Sequence, residues 1–464
     1  MAYDGITRRR LLGGGSAALA AGLAGCAGSL PGGGGNGEGG EGGNGSNANG
    51  TNGSDSGGGG GGGSSQITYW NIHNGDDFRK PINGIVSSFE ESSGNTVEAR
   101  YIDNDSISEQ ISSAVASNTL PTVGLFAIQT IQRLGADGSL SAERTTEVVE
   151  NIGKDDFRQG PLNFMSAGDG GYYGVPADAW VQGIWYRKSK FEEAGLEPPV
   201  TWDAIMTAAE AFHDEANDQY GIGFGTKVTA YARQNFTQFA RSNGARVLDA
   251  DANVVFDSKE MVETLEYIKE LGQYMPGAVS FEDTRNLYGN KQTHMFLYSS
   301  YLLPDLLADE GSEMVENTGL APATEKSRRS TYGQVLGHCL FDQPEGKLQA
   351  GQGLVDHVMS DDQYVKWVHT NPGGTMPVLK STVEREAYLD NEILNEWSST
   401  IEQISSALGN MDRFDVVDGK LLPEFGQITS SSLVAEAVNR VTIKDHDPET
   451  VATEQAEKMR NALS

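Results

Sequence analysis

The sequence predicts an α/β protein in which mainly parallel sheets are flanked by helices. Two observations predict it. From residue 66 onward, strand-like and helical patterns alternate, and strand–helix–strand order implies right-handed βαβ units. The stretch 66–464 also holds about 400 residues, long enough for two lobes with a sizeable core in each.

The first element is a strand, Ile67–Asn71, rich in β-branched and aromatic residues and halted by His73-Asn74-Gly75-Asp76. Phe78, Ile82, Val86 and Phe89 then recur at helical spacing until Ser92-Ser93-Gly94 stops the helix. Thr96–Ile102 alternates Val97, Ala99 and Tyr101 and reads as a second strand. Ser106 with Glu109 forms a capping-box pattern that opens a helix through Ile111 and Val115. Leu120-Pro121 leads into a short apolar strand, Val123–Ile128. Further on, Ile184-Trp185-Tyr186, His294–Tyr298 and Gln334–Phe341 read as strands. Helices are expected at Phe191–Leu196, from Thr201, and at Lys347–Met359. Two more are expected behind the capping pairs Asp257 with Glu260 and Ser360 with Gln363. The C-terminal third is helical in propensity.

Residues 1–65 are different in kind. Thr7-Arg8-Arg9-Arg10-Leu11-Leu12-Gly13 is a twin-arginine start before an apolar Ala/Gly/Leu stretch, the order of an export signal. It ends in Leu23-Ala24-Gly25-Cys26, where small residues before a cysteine resemble a lipobox, so Cys26 is the candidate lipidation residue. A lipid chain anchors a protein without spanning the membrane. Residues 27–65 are about half glycine, too poor in apolar surface to order themselves, and are expected to act as a tether. Asn44, Asn49 and Asn52 stand in glycosylation sequons.

The formal charge is −30, from 64 acidic and 34 basic residues, and it is dispersed rather than gathered in a tail. Self-repulsion of that size is screened at high salt, which points to a halophile. Its sign disfavours nucleic acid. With Cys26 lipidated only Cys339 remains, which excludes an intrachain disulfide and a cysteine metal cluster. His-Glu-x-x-His, Walker A and Gly-x-Ser-x-Gly patterns are absent, and the seven histidines show no ligand spacing. No enzyme, cofactor or metal is expected.

A resemblance carries the reading further. Gly171-Tyr172-Tyr173-Gly174-Val175-Pro176, Trp185-Tyr186-Arg187-Lys188, Phe191–Leu196, Pro198-Pro199 and Thr201-Trp202-Asp203 resemble the central block of family 1 extracellular solute-binding proteins. Those are the maltose-type sugar receptors of ABC importers. Phe89-Glu90-Glu91, Leu120-Pro121-Thr122, Lys291–Met295 and Ser360–Trp367 agree in order, though Thr122 replaces the usual aspartate. The resemblance implies a two-lobe periplasmic-binding-protein-like fold with the ligand cleft between lobes. Lobe I is expected to comprise 66–177 plus 325–374, and lobe II 178–324 plus 375–464. The implied crossings lie near Pro176–Gln182, Ala321–Ser330 and Pro372–Lys380.

Sugar hydroxyls want charged or amide partners, and sugar ring faces stack on aromatics. Such mixtures stand at strand ends here, where ligands bind open α/β sheets. His73, Asn74 and Asp76 follow the first strand, and Phe126 and Gln129 end the third. Asp178, Trp180 and Gln182 alternate along an extended crossover and share one side. By family position Trp180 and Tyr301 line the cleft, with Arg233, Gln234 and Asn235 entering from the second lobe. The expected partners are a small molecule, in first place a sugar, and ABC permease subunits. The protein is expected to be a monomer on the extracellular face of the membrane, held by its lipid. A receptor for a phosphorylated or anionic solute such as glycerol phosphate is the competing reading, in which Arg233 matters more than the aromatics. A secreted hydrolase and a purely structural lipoprotein are the readings from other classes.

Overall fold

A computed structural model describes residues 64–464 apart from 104, 105, 169 and 419. The expected signal, Cys26 and the tether up to residue 63 lie outside the described residues.

Strand β1 (Gln66–Asn71) buries Ile67, Tyr69 and Trp70. Helix α1 (Asp76–Ser93) follows and turns Ile82, Ile85, Val86 and Phe89 inward, the three-to-four spacing of one helical face. It ends where Gly94 takes φ 72°, a left-handed conformation that costs glycine nothing. Strand β2 (Thr96–Tyr101) pairs in parallel with β1, Gln66 opposite Thr96. Helix α2 (Ile107–Ser117) leads to β3 (Val123–Ala127), parallel to β1 on its other side. Helix α3 (Ile128–Ala136) starts directly at the end of β3.

The expected capping pairs form differently. Ser106 and Ser360 occupy N-caps, but their hydroxyls donate back to Asp103 O and His357 O, at 3.0 and 2.7 Å, and cap nothing. Ser258 rather than Asp257 caps the helix Lys259–Leu271, accepting from Met261 N, and Asp257 pairs with Arg460 instead. A complete capping box sits at Ser280 and Asp283.

The remaining strands used here are β4 (Val175–Arg187), β5 (Met295–Ser299), β6 (Thr318–Ala321), β7 (Thr324–Glu325), β8 (Arg329–Ser330), β9 (Gly333–Leu340) and β10 (Met376–Pro377). Their sheet runs β10-β4-β9-β3-β1-β2, with β5 and β6 also on β4. Parallel pairing runs through β2-β1-β3, as the βαβ pattern requires. Every partner of β4 is antiparallel. The first half of β4 lies between β9 and β10, and its second half, Gln182–Arg187, lies between β5 and β6. One thirteen-residue strand therefore belongs to two sheets.

Two hydrophobic cores follow that division. The first gathers β1, α1, β3, the start of β4 and residues 335–408, and it extends to Trp185, Tyr288, Phe296 and apolar residues of 302–320. The second gathers residues 191–275 and 414–463 with Ile184, Met295, Leu297 and Ala321. The segment Tyr220–Gly225 adds to the second sheet through parallel bridges of Tyr220 to Thr293 and Gly223 to Phe296. Glycine is required at 221 because a Cβ there would meet Ala209 O at 2.2 Å.

The chain passes between the cores along β4 and again through the β7–β8 hairpin. The last entry into the second core lies beyond Pro372–Lys380. Met376 and Pro377 pair with Ala179 and Asp178 inside the first sheet, and Tyr388, Leu394, Trp397, Ile404 and Leu408 stay in the first core. Phe414 is the first residue of the second core after that, so the passage lies between Leu408 and Phe414. Residues 376–408 touch both sides: Arg158 bonds Pro377 O and Ser405, while Trp397 packs edge-on against Trp185 and the helix Ser398–Ala407 lies against β4 and β6.

Arg413, adjacent to Asp412 in sequence, is buried at this passage. Its partner is Asp415, at 2.7 Å (Nε to Oδ1) and 2.9 Å (Nη2 to Oδ2), while Asp412 pairs with Arg241 and Arg328.

Candidate functional site

The site begins with the turn after β1. Asn71 Oδ1 accepts from His73 N at 2.7 Å, and its Nδ2 donates to Tyr69 Oη at 2.9 Å, so a buried amide fixes the turn. His73 is buried and stacks on Phe78 with centroids 4.5 Å apart. Its Nε2 lies 3.0 Å from Asp178 Oδ2, which also accepts from Trp367 Nε1 at 3.0 Å. Asp178 is fully buried, and its Oδ1 has no protein partner. Burial, with His73 nearby, lowers His338 to about 3, which keeps that neighbour of Trp367 neutral.

Two residues along β4, Trp180 is half-buried, edge-on to Tyr301 at 6.1 Å and tilted against Tyr332 at 5.9 Å. Tyr301 reaches back to Phe78 at 6.4 Å. Burial first, and then the Asp178 carboxylate, hold the Tyr301 phenol well above its ordinary range. Gln182 is next on the strand and buried. Asn235 Nδ2 donates to Gln182 Oε1 at 2.7 Å, while Asn235 Oδ1 accepts from Gly225 N at 2.8 Å.

Two adjoining chambers lie between the cores here. One, of about 290 Å³, is walled by Trp180, Gln182, Tyr231, Phe281 and Tyr298, with Ala230, Gln234 and Ser299. It is aromatic, with the two amide residues Gln182 and Gln234 in its wall. The other, of about 380 Å³, is polar: Gln129, Thr130 and Arg133 of α3 face Thr229, Arg233 and Gln234 of the helix Ala230–Ser242, and Gln334 contributes from β9. Ala230 and Gln234 belong to both, so the chambers form one cleft. Gln334 Nε2 donates to Gln129 Oε1 at 3.0 Å.

Of the residues expected from sequence, Gln129, Trp180, Gln182, Arg233 and Gln234 line this cleft. Tyr301 braces Trp180, Asn235 holds Gln182 from beneath, and Asp178 and His73 form a buried pair behind the wall. Asn74 accepts from Arg79, and Asp76 is exposed on the first turn of α1; neither lines the two chambers. Phe126 is placed in the core, edge-on to Phe341, because β3 is buried on both faces. Arg133, Tyr231, Phe281 and Tyr298 were not singled out. Arg133 follows Gln129 by four residues and so shares its helix face, a signal the sequence did hold.

A larger cavity, about 730 Å³, lies beside the third passage and holds Arg241, Arg246, Arg328 and Arg329. Each of these has a carboxylate at 2.7–3.7 Å, Arg241 and Arg328 sharing Asp412, so that cavity supplies most of its own counter-charge.

Two α/β cores joined by passing strands, with an aromatic and polar cleft between them, define the two-lobe binding-protein class. The chain belongs to the bacterial extracellular solute-binding proteins, whose family model matches residues 84–396. It is similar to the putative ABC transporter periplasmic-binding protein YcjN of Escherichia coli, 29% identical over 382 residues, 82% of this chain and 88% of that protein. Its fold is that of a Thermotoga lettingae ABC transporter solute-binding protein bound with α-D-tagatose (TM-score 0.70, 21% identity, 86% of this chain and 100% of the other). It is equally that of maltose-bound MalE3 of T. maritima (TM-score 0.69, 17% identity, 86% and 100%).

Proposed function

We propose that this protein is the substrate-binding component of an ABC importer and holds a carbohydrate in the cleft between its two cores. The observation that carries the reading is the aromatic chamber, in which Trp180, Tyr231, Tyr298 and Phe281 surround the buried amide of Gln182. Aromatic faces suit the apolar face of a sugar ring, and a positioned amide suits its hydroxyls. YcjN, related along most of the chain, is named as an ABC transporter binding protein, and two proteins of the same fold hold tagatose and maltose. In this reading residues 66–177 with 325–374 form lobe I and 178–324 with 375–464 form lobe II, and ligand favours the state in which the lobes close on it. Export through the twin-arginine start and lipidation of Cys26 would place the molecule at the outer face of the membrane. The dispersed charge of −30 fits a halophilic source.

Calorimetry of the full chain against a panel of mono- and oligosaccharides in molar salt tests the proposal. Saturable one-to-one binding of a saccharide, weakened in Trp180→Ala, is the expected result. A panel with no binder would remove the carbohydrate assignment.

A further inference from the structure

We infer that the solute carries an anionic group, a carboxylate, sulfate or phosphate on a saccharide, held in the polar chamber between Arg133 and Arg233. The inference rests on the carbohydrate reading above and narrows it to an acidic sugar.

Arg233 is 9% exposed and lines the chamber, yet among the described residues its side chain has no carboxylate and no hydrogen-bond partner. Its guanidinium opens onto the chamber, with its donors free for a ligand there. Arg133, across the cleft on α3, is likewise without a carboxylate, and no Asp or Glu lines the chamber. In a chain with nearly twice as many acids as bases, that is the reverse of the expected composition. The paired arginines of the larger cavity show the contrast.

The backbone adds the same sign. The helix Ala230–Ser242 begins in the chamber, its N-cap Thr229 makes no side-chain cap bond, and its first turn holds no acid. Helix α3 also begins there, with Ala127 as N-cap, no cap bond and no acid in its first turn. Helix N-termini attract anions through their free N–H groups and the helix dipole. A cation at Arg233, in the first turn, is disfavoured by that dipole and calls for an anion beside it. Arg133 stands on an element of the first core and Arg233 on one of the second. One oxyanion between them would engage both cores at once and so favour closure, while the aromatic chamber next door takes the uncharged part of the sugar.

The test is a glycan array with matched neutral, uronate, sulfated and phosphorylated saccharides, read with the full chain and with Arg133→Gln and Arg233→Gln. Inorganic phosphate and glycerol phosphate are titrated alongside. The expected result is binding of an acidic saccharide that each substitution weakens at least tenfold, with the melting temperature of Arg233→Gln unchanged or higher. The responding arm identifies the anion. Binding of neutral saccharides alone, unaffected by either substitution, would overturn the inference and leave the carbohydrate reading standing. Binding of glycerol phosphate or phosphate through these arginines with no saccharide bound would overturn the carbohydrate reading and the inference with it. A lowered melting temperature in Arg233→Gln with unchanged affinity would make Arg233 structural.

Discussion

Asp178 Oδ2 accepts hydrogen bonds from two rings at once, His73 Nε2 and Trp367 Nε1, each at 3.0 Å, with the carboxylate wholly buried. This ties the turn after β1, the strand that joins the two cores, and the helix Asp361–Val368. Asp178→Ala leaves His73 and Trp367 without an acceptor and should cost about 2–6 kcal/mol, at about 1–3 kcal/mol for each buried group left unsatisfied. Denaturant melts measure it. A change below 1 kcal/mol would mean that the carboxylate matters to ligand and not to the fold.

Trp180 should behave in the opposite sense. It is only half-buried and leans on Tyr301 and Tyr332 at a cleft wall. Trp180→Ala is expected to weaken saccharide binding by about 1–3 kcal/mol, the range for an aromatic anchor, with little effect on the melting temperature. Loss of stability with affinity retained would return Trp180 to the core.

Asp356 supplies a pH signature. Burial pushes its carboxyl up to about 6, with no cation to offset it. Between about pH 4 and that value the unfolded chain has lost the proton and the folded chain keeps it, so this group's contribution falls as pH rises. Asp356→Asn removes the effect. Its melting temperature should match the parent near pH 4, gain on it up to about pH 6, and hold a constant lead above. Parallel pH-resolved melts would refute the assignment.

How much of this could be read in advance varies by element. The face of α1 was legible because Ile82, Val86 and Phe89 repeat with one period and Gly94 ends it. Phe126 was not, because a strand buried on both sides presents the same apolar pattern whichever way a residue points. The last entry into the second core is not legible for a related reason: helical periodicity in 386–408 shows that a face is buried, not in which core. Trp180 and Gln182 share one side of β4 by two-residue alternation, and the same rule applied to Arg413 points to Asp415, two residues on, over Asp412. Arg133 needed only the four-residue step from Gln129.

Cys26 carries the proposed anchor. Cys26→Ser should leave the protein exported and move it from the membrane fraction to the medium, since one side chain holds the lipid. Unchanged membrane fractionation of the variant would sink the anchor and leave the binding chemistry untouched.

The last prediction concerns the third passage. Arg413 donates to Asp415 through two nitrogens, to Gly333 O at 2.7 Å and to Gln334 Oε1, and its guanidinium lies 5.4 Å from the Tyr332 ring centroid. Gln334 in turn donates to Gln129 in the polar chamber. The passage between the cores is thus wired to the cleft by one buried cation. Asp415→Ala leaves that cation unpaired and should cost about 3–5 kcal/mol of stability. Replacing both partners, Arg413→Met with Asp415→Leu, removes the charge and its counter-charge together, so stability should return to near the parent value. Affinity should not return with it. Gln334 Oε1 has then lost its donor, Gln129 loses its fixed orientation, and binding should stay about fivefold weaker, the worth of one hydrogen bond of about 1 kcal/mol. Denaturation and calorimetry on the single and double variants separate the two roles. Full recovery of affinity in the double variant would make Arg413 a fastener of the passage only, with no hold on the cleft.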